Sequence, residues 1–538
     1  MAAVAELGLR AAGPFVLDPA PPPPGMSRIA RPPRWALIAT ALAVANGTAF
    51  FLVQPGVNDL WAARARASAV SHGVGLTYWF SWFGGGSTPG NYSVLTPYLS
   101  ALISAELVCA LSAVAITALT AFVVRDAPHP AAATAVATVA AGINLWSGRV
   151  PFLLGCALAI TALIAVRKQQ RVRTVLATVL TVLASPVSAA FLALGLAGAF
   201  LTSRAYRTVS GIAIGAVVVA FGAVALAFGT PGTQHFSLVM CLESCAALTA
   251  FLVASPGKTV RAVIWLSFAV VLAMLVIPSG MGSNFGRMTW FCLPVAVVAF
   301  SSRRAWLATL LVVPVLGAAS NLTISDLRQA GQPVAGTEYY TPLGAELDRI
   351  QGMSNFRLEV VAETAHAAYD ALLDHAMLAR GWETQEDNAL NSTLMNPGLD
   401  PTSYKIWLDN NSVGYVAVPA SKVDKYPEFT LVSAGLPYLS KVWTSADWSL
   451  YRVQDPTPIV AAPQSVLTYG QSAMTVRATC ACTFSLRIRF SKFLHGRPLT
   501  GTGTGRATFT SDGYGYTSMT TSAPGDYELR GSVTKFFH

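Results

Sequence analysis

Residues 35–54 read WALIATALAVANGTAFFLVQ, a stretch without a single charged residue. A helix of about 20 such residues crosses the hydrocarbon core of a bilayer. Ten further apolar stretches follow before residue 323. Over its 538 residues the chain is 53% hydrophobic and 12% charged, with a mean hydropathy of +0.50, whereas soluble domains carry about 25% charged residues. This composition excludes a soluble enzyme and a disordered chain, and indicates an α-helical polytopic membrane domain of about 11 spans.

Positive charge is distributed unevenly along the chain. Residues 1–322 contain 19 Lys and Arg but only 6 Asp and Glu, whereas residues 323–538 contain 17 basic and 20 acidic residues. With the N-terminus inside, 15 of those 19 basic residues fall in inner segments and 4 in outer loops. Because inner loops of membrane proteins are rich in Lys and Arg, the pattern predicts a multi-pass plasma-membrane protein with a cytoplasmic N-terminus and an extracytoplasmic C-terminal domain. No basic and aromatic cluster suggests nucleic-acid binding.

One alternative affects this orientation. Residues 174–202 read either as one helix kinked at Pro186 or as two spans that break at Ser185-Pro186. A single kinked helix would place the C-terminal domain in the cytoplasm. The charge rule favours the break, which gives eleven spans with the C-terminus outside.

The composition divides the chain into four parts. A Pro- and Arg-containing cytoplasmic tail is predicted to be disordered, and the membrane domain after it contains one long outer loop. The remainder is soluble in character, with an α/β pattern that changes to strands and Gly/Thr/Ser turns, typical of a β-sandwich-like module. The predicted boundaries are 1–34 for the tail, 35–322 for the membrane domain, 55–97 for its outer loop, 323–460 for the extracytoplasmic α/β domain and 461–538 for the β-rich module.

The long outer loop has an unusual composition. Residues 59–71 have a helical pattern, which predicts a short helix lying at the membrane interface. The aromatic residues that follow, among them Tyr78, Trp79 and Trp82, suit either anchoring at headgroup depth or stacking on sugar faces. Gly84-Gly85-Gly86 lacks the Lys-Ser/Thr partner of a phosphate-binding loop.

Three acidic residues are predicted near the outer face of the membrane domain: Asp59, Glu106 and Glu243. A carboxylate inside a membrane costs about 2.5–3.5 kcal/mol at a helix centre, so such residues usually face a polar cavity. They are therefore candidates for one shared site. The alternative is that Glu106 and Glu243, near helix ends, simply reach interfacial water.

Four other outer residues are candidates for substrate binding. Arg149 and Arg287 lie in very short loops, where guanidinium groups would suit a phosphate; pairing with the nearby carboxylates to hold the bundle together is the equal alternative. Tyr92 would stack on a sugar or anchor the loop. His72 titrates near neutral pH, although an ordinary surface histidine fits the sequence as well.

The seven cysteines fit no disulfide framework. Cys480 and Cys482 are two residues apart on a predicted strand, so their side chains point to one face. Without further Cys or His at ligand spacing, a metal site is not predicted, and no cofactor is expected.

Several stretches carry a resemblance. The chain resembles a family of uncharacterised actinobacterial polytopic membrane proteins, some labelled 6-pyruvoyl-tetrahydropterin-synthase-related. Its layout is also similar to the GT-C class of membrane glycosyltransferases. The stretches are Asp59-Leu60-Trp61, 73–80 (GVGLTYWF), 90–97 (GNYSVLTP), 147–153 (SGRVPFL), 379–383 (ARGWE) and 448–453 (WSLYRV).

The GT-C resemblance implies a function. Such enzymes take sugars from polyprenyl-phosphate donors, with an acidic residue of the first outer loop as general base, a role that falls on Asp59. It implies an inverting transferase acting on an envelope glycan or lipid acceptor, with Arg149 or Arg287 stabilising the leaving phosphate. Leu60 and Trp61 stand where many members have a second acid. The alternatives are a transporter or flippase of an envelope precursor, and a non-catalytic envelope scaffold.

Overall fold

The computed structural model describes residues 32–230, 232–420, 427–499 and 505–532. Almost all of the predicted cytoplasmic tail, residues 1–31, lies outside these ranges. Within them, the chain up to residue 330 forms α-helices, connected by short loops except for two longer segments, one between the second and third helices and one between the eleventh and twelfth. The helices are α1 (Arg34–Val53), α2 (Asn58–Ser71), α3 (Thr96–Ile103), α4 (Ala105–Val123), α5 (Pro130–Trp146), α6 (Val150–Arg167), α7 (Arg171–Ala184), α8 (Pro186–Thr202), α9 (Arg204–Phe228), α10 (Leu238–Val253), α11 (Lys258–Met274), α12 (Leu293–Ala299) and α13 (Ala305–Ala330).

Many of these helices have the composition of membrane spans. Among the described residues, α1, α4, α6, α9 and α13 are long and apolar enough to cross a bilayer, and α5, α8 and α10 are shorter apolar helices. Large apolar side chains such as Leu226 and Val219 are exposed on their outer surfaces, as expected for lipid-facing positions. The chain therefore has a helical membrane region, while the total of eleven spans stays a prediction.

The helix break predicted at Ser185-Pro186 is present. Helix α7 ends at Ala184, and the Ser185 hydroxyl accepts a hydrogen bond from the backbone N–H of Ser188. Pro186 occupies the first position of α8, where its missing N–H costs nothing. A cap and a proline at one point therefore start a new helix rather than kink an existing one.

The α/β part follows α13. Its helices are α14 (Thr341–Leu347), α15 (Ala368–Ala371), α16 (Thr384–Leu390), α17 (Ser392–Met395), α18 (Pro401–Asn410) and α19 (Glu428–Ser433). Its strands are β1 (Arg357–Val360), β2 (Val413–Pro419), β3 (Leu439–Thr444) and β4 (Trp448–Val453), in the order β1-β2-β4-β3. Strands β1 and β2 pair in parallel, which requires the long helical crossover between them.

The β-rich part is one antiparallel sheet. Its strands are β5 (Ser465–Tyr469), β6 (Ala473–Ala478), β7 (Thr483–Arg489), β8 (Leu494–Pro498), β9 (Ala507–Ser511), β10 (Tyr516–Thr521) and β11 (Gly525–Gly531), in the order β5-β6-β11-β8-β9-β10-β7. Val466, Val476, Leu486 and Met519, from four different strands, share one apolar core. In the described part of the chain, the two halves of the sheet, β5-β6-β11-β8 and β9-β10-β7, are joined only by the residue pair Gly496–Ala507, and the sandwich-like arrangement stays a prediction.

The cysteine interpretation also needs correction. Cys480 and Cys482 form a disulfide between β6 and β7, although the sequence suggested no disulfide framework. In the sequence, this pair differs in no way from two unbridged cysteines on one face of a strand. No group of three or more metal-ligating side chains occurs among the residues that the structure describes.

The aromatic loop after α2 is buried rather than interfacial. Trp79 and Trp82 are at most 1% exposed, with ring centroids 4.4 Å apart, and Trp82 Nε1 donates to the carbonyl of Tyr369 at 2.9 Å. The prediction that these aromatics lie at headgroup depth or stack on sugars is therefore wrong. They form the core between the helical region and the C-terminal parts of the chain.

The triple glycine completes this junction. At Gly86, with φ +97°, an added Cβ would lie 2.6 Å from the Cβ of Arg489 in β7. Neighbouring Gly84 packs in the same way against Arg357 of β1. The run therefore lets this loop touch both C-terminal sheets at once.

Candidate functional site

Asp59 lies in the first turn of α2, just after Val57 at its N-cap. A negative charge is favoured there by the dipole of the helix. Leu60 beside it is fully buried, so the helix is fixed in place. The Asp59 side chain is 39% exposed, which leaves its carboxylate accessible to a ligand.

Arg149 is held opposite this carboxylate. Its Nε lies 3.5 Å from Asp59 Oδ2, and its guanidinium lies over the Trp290 ring, 5.1 Å from the centroid. The preceding Gly148 has φ +70°, and a Cβ there would come within 2.6 Å of Leu60 Cβ. Only glycine lets the α5–α6 loop approach α2 this closely, so the sequence Ser-Gly-Arg places Arg149 at Asp59.

Arg287 approaches Asp59 from another element. It directly precedes the π-helical turn Met288–Cys292, a type of irregularity frequent at functional sites. Its Nη2 lies 3.8 Å from Asp59 Oδ2, and its guanidinium lies 5.0 Å from the Phe152 ring centroid. Burial, together with the like charge of Arg149, lowers the pKa of Arg287 to about 10. It is still charged at neutral pH, and a bound anion would be favoured.

A cavity opens beside Asp59, between α2 and α3. The Arg66 guanidinium lies over the Tyr92 ring, 4.2 Å from its centroid. Burial raises the pKa of the Tyr92 phenol, which keeps its hydroxyl protonated. The Oγ of Ser100 is buried and has no hydrogen-bond partner among the residues that the structure describes. The cavity is lined by Asp59, Ala62, Ala63, Arg66, Tyr92, Ser93, Thr96, Pro97, Ser100 and Pro151.

The structure does not bring the three outer carboxylates into this cavity. Glu106, in the first turn of α4, accepts a hydrogen bond from Arg64 Nε at 2.6 Å. Glu243 is exposed on α10, and no ion pair to it is found within the described ranges. Neither residue lines the cavity beside Asp59. Asp59 is instead paired with one arginine from the loop before α6 and one from the segment before α12.

His72 also lies elsewhere. It is exposed at the C-terminal end of α2, about 20 Å along the helix from Asp59 at 1.5 Å per residue. Its Nδ1 lies 2.8 Å from the carbonyl of Ser68, and Gln471 Nε2 lies 3.3 Å away. As placed here, His72 is a surface residue at the contact with the β-rich module and does not meet the Asp59 cluster.

Two further acidic residues at the site escaped the sequence reasoning. Asp326, near the end of α13, lies within electrostatic range of Arg149 and Asp59, although no ion pair within 4 Å joins it to Arg149 in the part of the chain that the structure describes. Glu383 accepts a hydrogen bond from Arg66 Nη2 at 2.5 Å, with both side chains at most 6% exposed. The sequence did not identify Asp326 as a candidate site residue, because it lies beyond the predicted end of the last span.

Glu383, by contrast, lies in a stretch that the sequence singles out. It belongs to the 379–383 stretch that carries the family resemblance, and its neighbour Trp382 donates from Nε1 to the carbonyl of Asn58 at 2.8 Å. Burial raises the pKa of Glu383, and raises that of nearby Glu386 to about 8. Through the hydrogen bond from Trp382 to Asn58, the α/β part contacts the residue next to Asp59.

Comparison with known proteins gives distant structural similarity. No protein-family model and no curated protein matches the chain. The structure of ArnT from Cupriavidus metallidurans bound to undecaprenyl phosphate is similar with a TM-score of 0.44 at 12% identity, over 78% of this chain and 97% of that one. Arabinosyltransferase EmbB from Mycobacterium smegmatis is similar with a TM-score of 0.29 at 11% identity, over 92% of this chain and 63% of that one. The site is therefore judged by its own geometry.

Proposed function

We propose that this protein is a membrane glycosyltransferase that moves a sugar from a polyprenyl-phosphate donor to an envelope glycan or glycolipid on the outer face. The observation that carries the proposal is the Asp59 carboxylate facing Arg149 and Arg287 at 3.5 and 3.8 Å, beside a cavity at the end of a helical membrane region. The proposal includes the predicted orientation, with the N-terminus cytoplasmic and the C-terminal parts outside.

The residues divide the reaction between them. Asp59 takes the proton of an acceptor hydroxyl, and the hydroxyl oxygen attacks the anomeric carbon with inversion. The bond between that carbon and the phosphate oxygen breaks, and the phosphate leaves with the electron pair. Guanidinium groups stabilise the developing negative charge.

The ion pairs also mark where the donor would bind. Both guanidinium groups face Asp59, at 3.5 and 3.8 Å. A donor phosphate that binds beside them is attracted by the same two positive charges and lies next to the carboxylate that takes the acceptor proton.

A complementation experiment tests the proposal. Cells lacking the gene are complemented with wild type, Asp59→Asn or Asp126→Asn, at expression matched by immunoblot, and envelope glycans and glycolipids are profiled. Asp126 is a useful control because it pairs with Arg167 at the predicted cytoplasmic end. We expect wild type and Asp126→Asn to restore a missing glycan, and Asp59→Asn to leave its precursor accumulating. Equal restoration by Asp59→Asn would contradict the proposed base and favour transport or scaffolding.

A further inference from the structure

Arg287 is carried by a continuous run of helical turns. The run starts with a 3₁₀-helical turn at Gly282–Phe285, passes through the π-helical turn Met288–Cys292 and ends with α12. Between the first two turns, Gly286 and Arg287 keep right-handed helical backbone angles, with φ −49° and −62°. A shift of the first turn would therefore move the guanidinium of Arg287 relative to Asp59.

Gln234, in the loop between α9 and α10, is hydrogen-bonded to this first turn. Its Oε1 accepts a hydrogen bond from Asn284 Nδ2 at 2.9 Å, and its Nε2 donates to Ser283 Oγ at 2.7 Å. Its backbone N–H donates to the carbonyl of Ser279 at 2.9 Å. One amide group thus binds two successive residues of the turn, using its acceptor and its donor. Arg287 follows Asn284 by three residues, which is one turn of a 3₁₀-helix.

A glycine allows this close contact. Gly282 has φ +43°, and a Cβ built there would lie 2.6 Å from Gln234 Cβ. On the other side of the turn, Phe285 is fully buried, and its ring centroid lies 6.3 Å from that of Phe191 in α8. The turn that precedes Arg287 is therefore held between Gln234 and the core of the helical region.

The α/β part supports the same loop. Gln385 of α16 places its Nε2 3.4 Å from Gln234 Oε1 and 3.4 Å from the carbonyl oxygen of Gly280. Gly232 has φ +110°, and a Cβ built there would lie 2.8 Å from the carbonyl oxygen of Gln385. The α9–α10 loop therefore lies between α16 and the segment that leads to Arg287.

We infer that Gln234 is a positioning residue that holds Arg287 opposite Asp59, and that the α/β part assists it through Gln385. The inference rests on the proposed function, in which the guanidinium groups stabilise the leaving phosphate. Without the hydrogen bonds of Gln234, the first turn loses its fixed orientation. The Arg287 guanidinium then no longer stays 3.8 Å from Asp59 Oδ2, where the phosphate would leave.

An extracted-donor assay measures this positioning. Polyprenyl-phosphate sugars are extracted from cells lacking the gene, and purified full-length variants in detergent turn them over in the presence of envelope acceptor. Gln234→Met keeps the length of the side chain and removes both hydrogen-bonding atoms. We expect it to lower kcat/KM about tenfold or more, at a melting temperature within a few degrees of wild type.

A second glutamine is the matched control. Gln169 also joins two loops, because its Nε2 donates to the carbonyl of Ala205 at 3.0 Å, and it lies on the predicted cytoplasmic side. Gln169→Met should keep the turnover of wild type. Two further variants approach Gln234 from its partners. Asn284→Ala should match Gln234→Met, and Gln385→Met should lower kcat/KM about threefold, because its contacts are longer.

A double variant separates positioning from a general loss of structure. Arg287→Lys keeps a positive charge, so that residual turnover can be measured. Beside Arg287→Lys, we expect Gln234→Met to lower kcat/KM by less than about twofold further, because its effect passes through the missing guanidinium. In a variant that only loosens the fold, the two losses would multiply.

The outcomes are distinguishable. If wild type releases no polyprenyl monophosphate, the proposed function fails, and the inference with it. If wild type is active and both Gln234→Met and Asn284→Ala keep its rate, the inference alone is overturned. The same holds if Gln234→Met causes as large a loss beside Arg287→Lys as it does alone. Wild-type turnover by Gln385→Met would overturn the contribution of the α/β part.

Discussion

At the scale of single residues, the site is defined by which charge each side chain meets. The four basic residues predicted in outer loops all lie around α2, and each faces a carboxylate. Arg149 and Arg287 face Asp59, whereas the other two, on α2 itself, meet Glu106 and Glu383. The two pairs formed by the arginines of α2 therefore fit the alternative in which such arginines only hold the helices together. The Asp59 pairs differ, because the carboxylate stays accessible.

Glu106→Gln tests this distinction. Glu106 accepts from Arg64 Nε at 2.6 Å and does not line the cavity. We expect the melting temperature to fall by a few degrees, because Arg64 loses its countercharge, and turnover to stay within about threefold of wild type. Thermal unfolding in detergent and the extracted-donor assay measure the two effects. A loss of turnover as large as that of Asp59→Asn would place Glu106 in the reaction.

At the scale of elements, a glycine loop fixes the arginine to the helix that carries the base. Gly148→Ala would place a Cβ 2.6 Å from Leu60 Cβ at φ +70°. Strain of this kind costs about 1–3 kcal/mol. We expect lower thermal stability and lower turnover together, since the loop must move Arg149 away from Asp59.

A second glycine provides the control. Gly317 lies within α13, and nothing stands within 4 Å of a Cβ built there. Gly317→Ala should leave turnover unchanged and keep or slightly raise stability, because alanine favours helix by about 0.5–1 kcal/mol over glycine. Equal behaviour of the two variants would contradict the close approach of the loop to α2.

The sequence revealed the elements with local signals and missed those that depend on distant partners. Residues 59–71 were predicted as a helix from their composition, and α2 covers Asn58–Ser71. The pattern of residues 364–379 predicts a helix there as well, yet within it only Ala368–Ala371 is α-helix, and the Glu363 carboxylate accepts a hydrogen bond from the backbone N–H of Ala368 at the start of that turn. Nothing local predicts that interaction.

Dependence on distant partners also explains why the sequence predicts the site only in part. The sequence identified Arg149 and Arg287 as candidates, since few basic residues are predicted on the outer side. That they meet Asp59 depends on helix packing, which the sequence pattern does not contain. Asp326 was out of reach for the same cause, because it counts as part of the soluble region until α13 is seen to continue to Ala330.

At the scale of the whole molecule, the C-terminal half is joined to the site. Arg66 of α2 and Glu383 form a buried pair at 2.5 Å. Removing one partner of such a pair typically costs about 3–5 kcal/mol. We expect Arg66→Met and Glu383→Gln each to lower the melting temperature and to expose the α/β part to protease. In the double variant, the loss of stability should be smaller than the sum of the losses in the two single variants. A loss equal to that sum would contradict a direct interaction between Arg66 and Glu383.

This junction should also respond to pH. Burial, and the like charge of Glu383, raise the pKa of Glu386 from 4.5 to about 8. The folded protein therefore binds a proton that the unfolded chain has released above pH 4.5. The stability contributed by protonated Glu386 is complete below pH 4.5 and is lost as the pH rises through about 8.

Melting temperatures between pH 5 and 9 measure this effect. We expect wild type to lose stability over that range and Glu386→Gln, which keeps an acceptor for the Ser87 hydroxyl, to lose distinctly less. Glu338→Gln, at an exposed carboxylate, should follow wild type. A Glu386→Gln profile parallel to that of wild type would show that Glu386 does not titrate in this range.

Conversion of the donor tests the central claim most directly. Polyprenyl-phosphate sugars are extracted from cells lacking the gene and incubated with purified wild type or Asp59→Asn in the presence of envelope acceptor, and free polyprenyl monophosphate is followed by mass spectrometry. We predict that wild type releases it from one donor species, and that Asp59→Asn does so at least about 100-fold more slowly. Release by Asp59→Asn at the wild-type rate, or no release by wild type, would contradict the account.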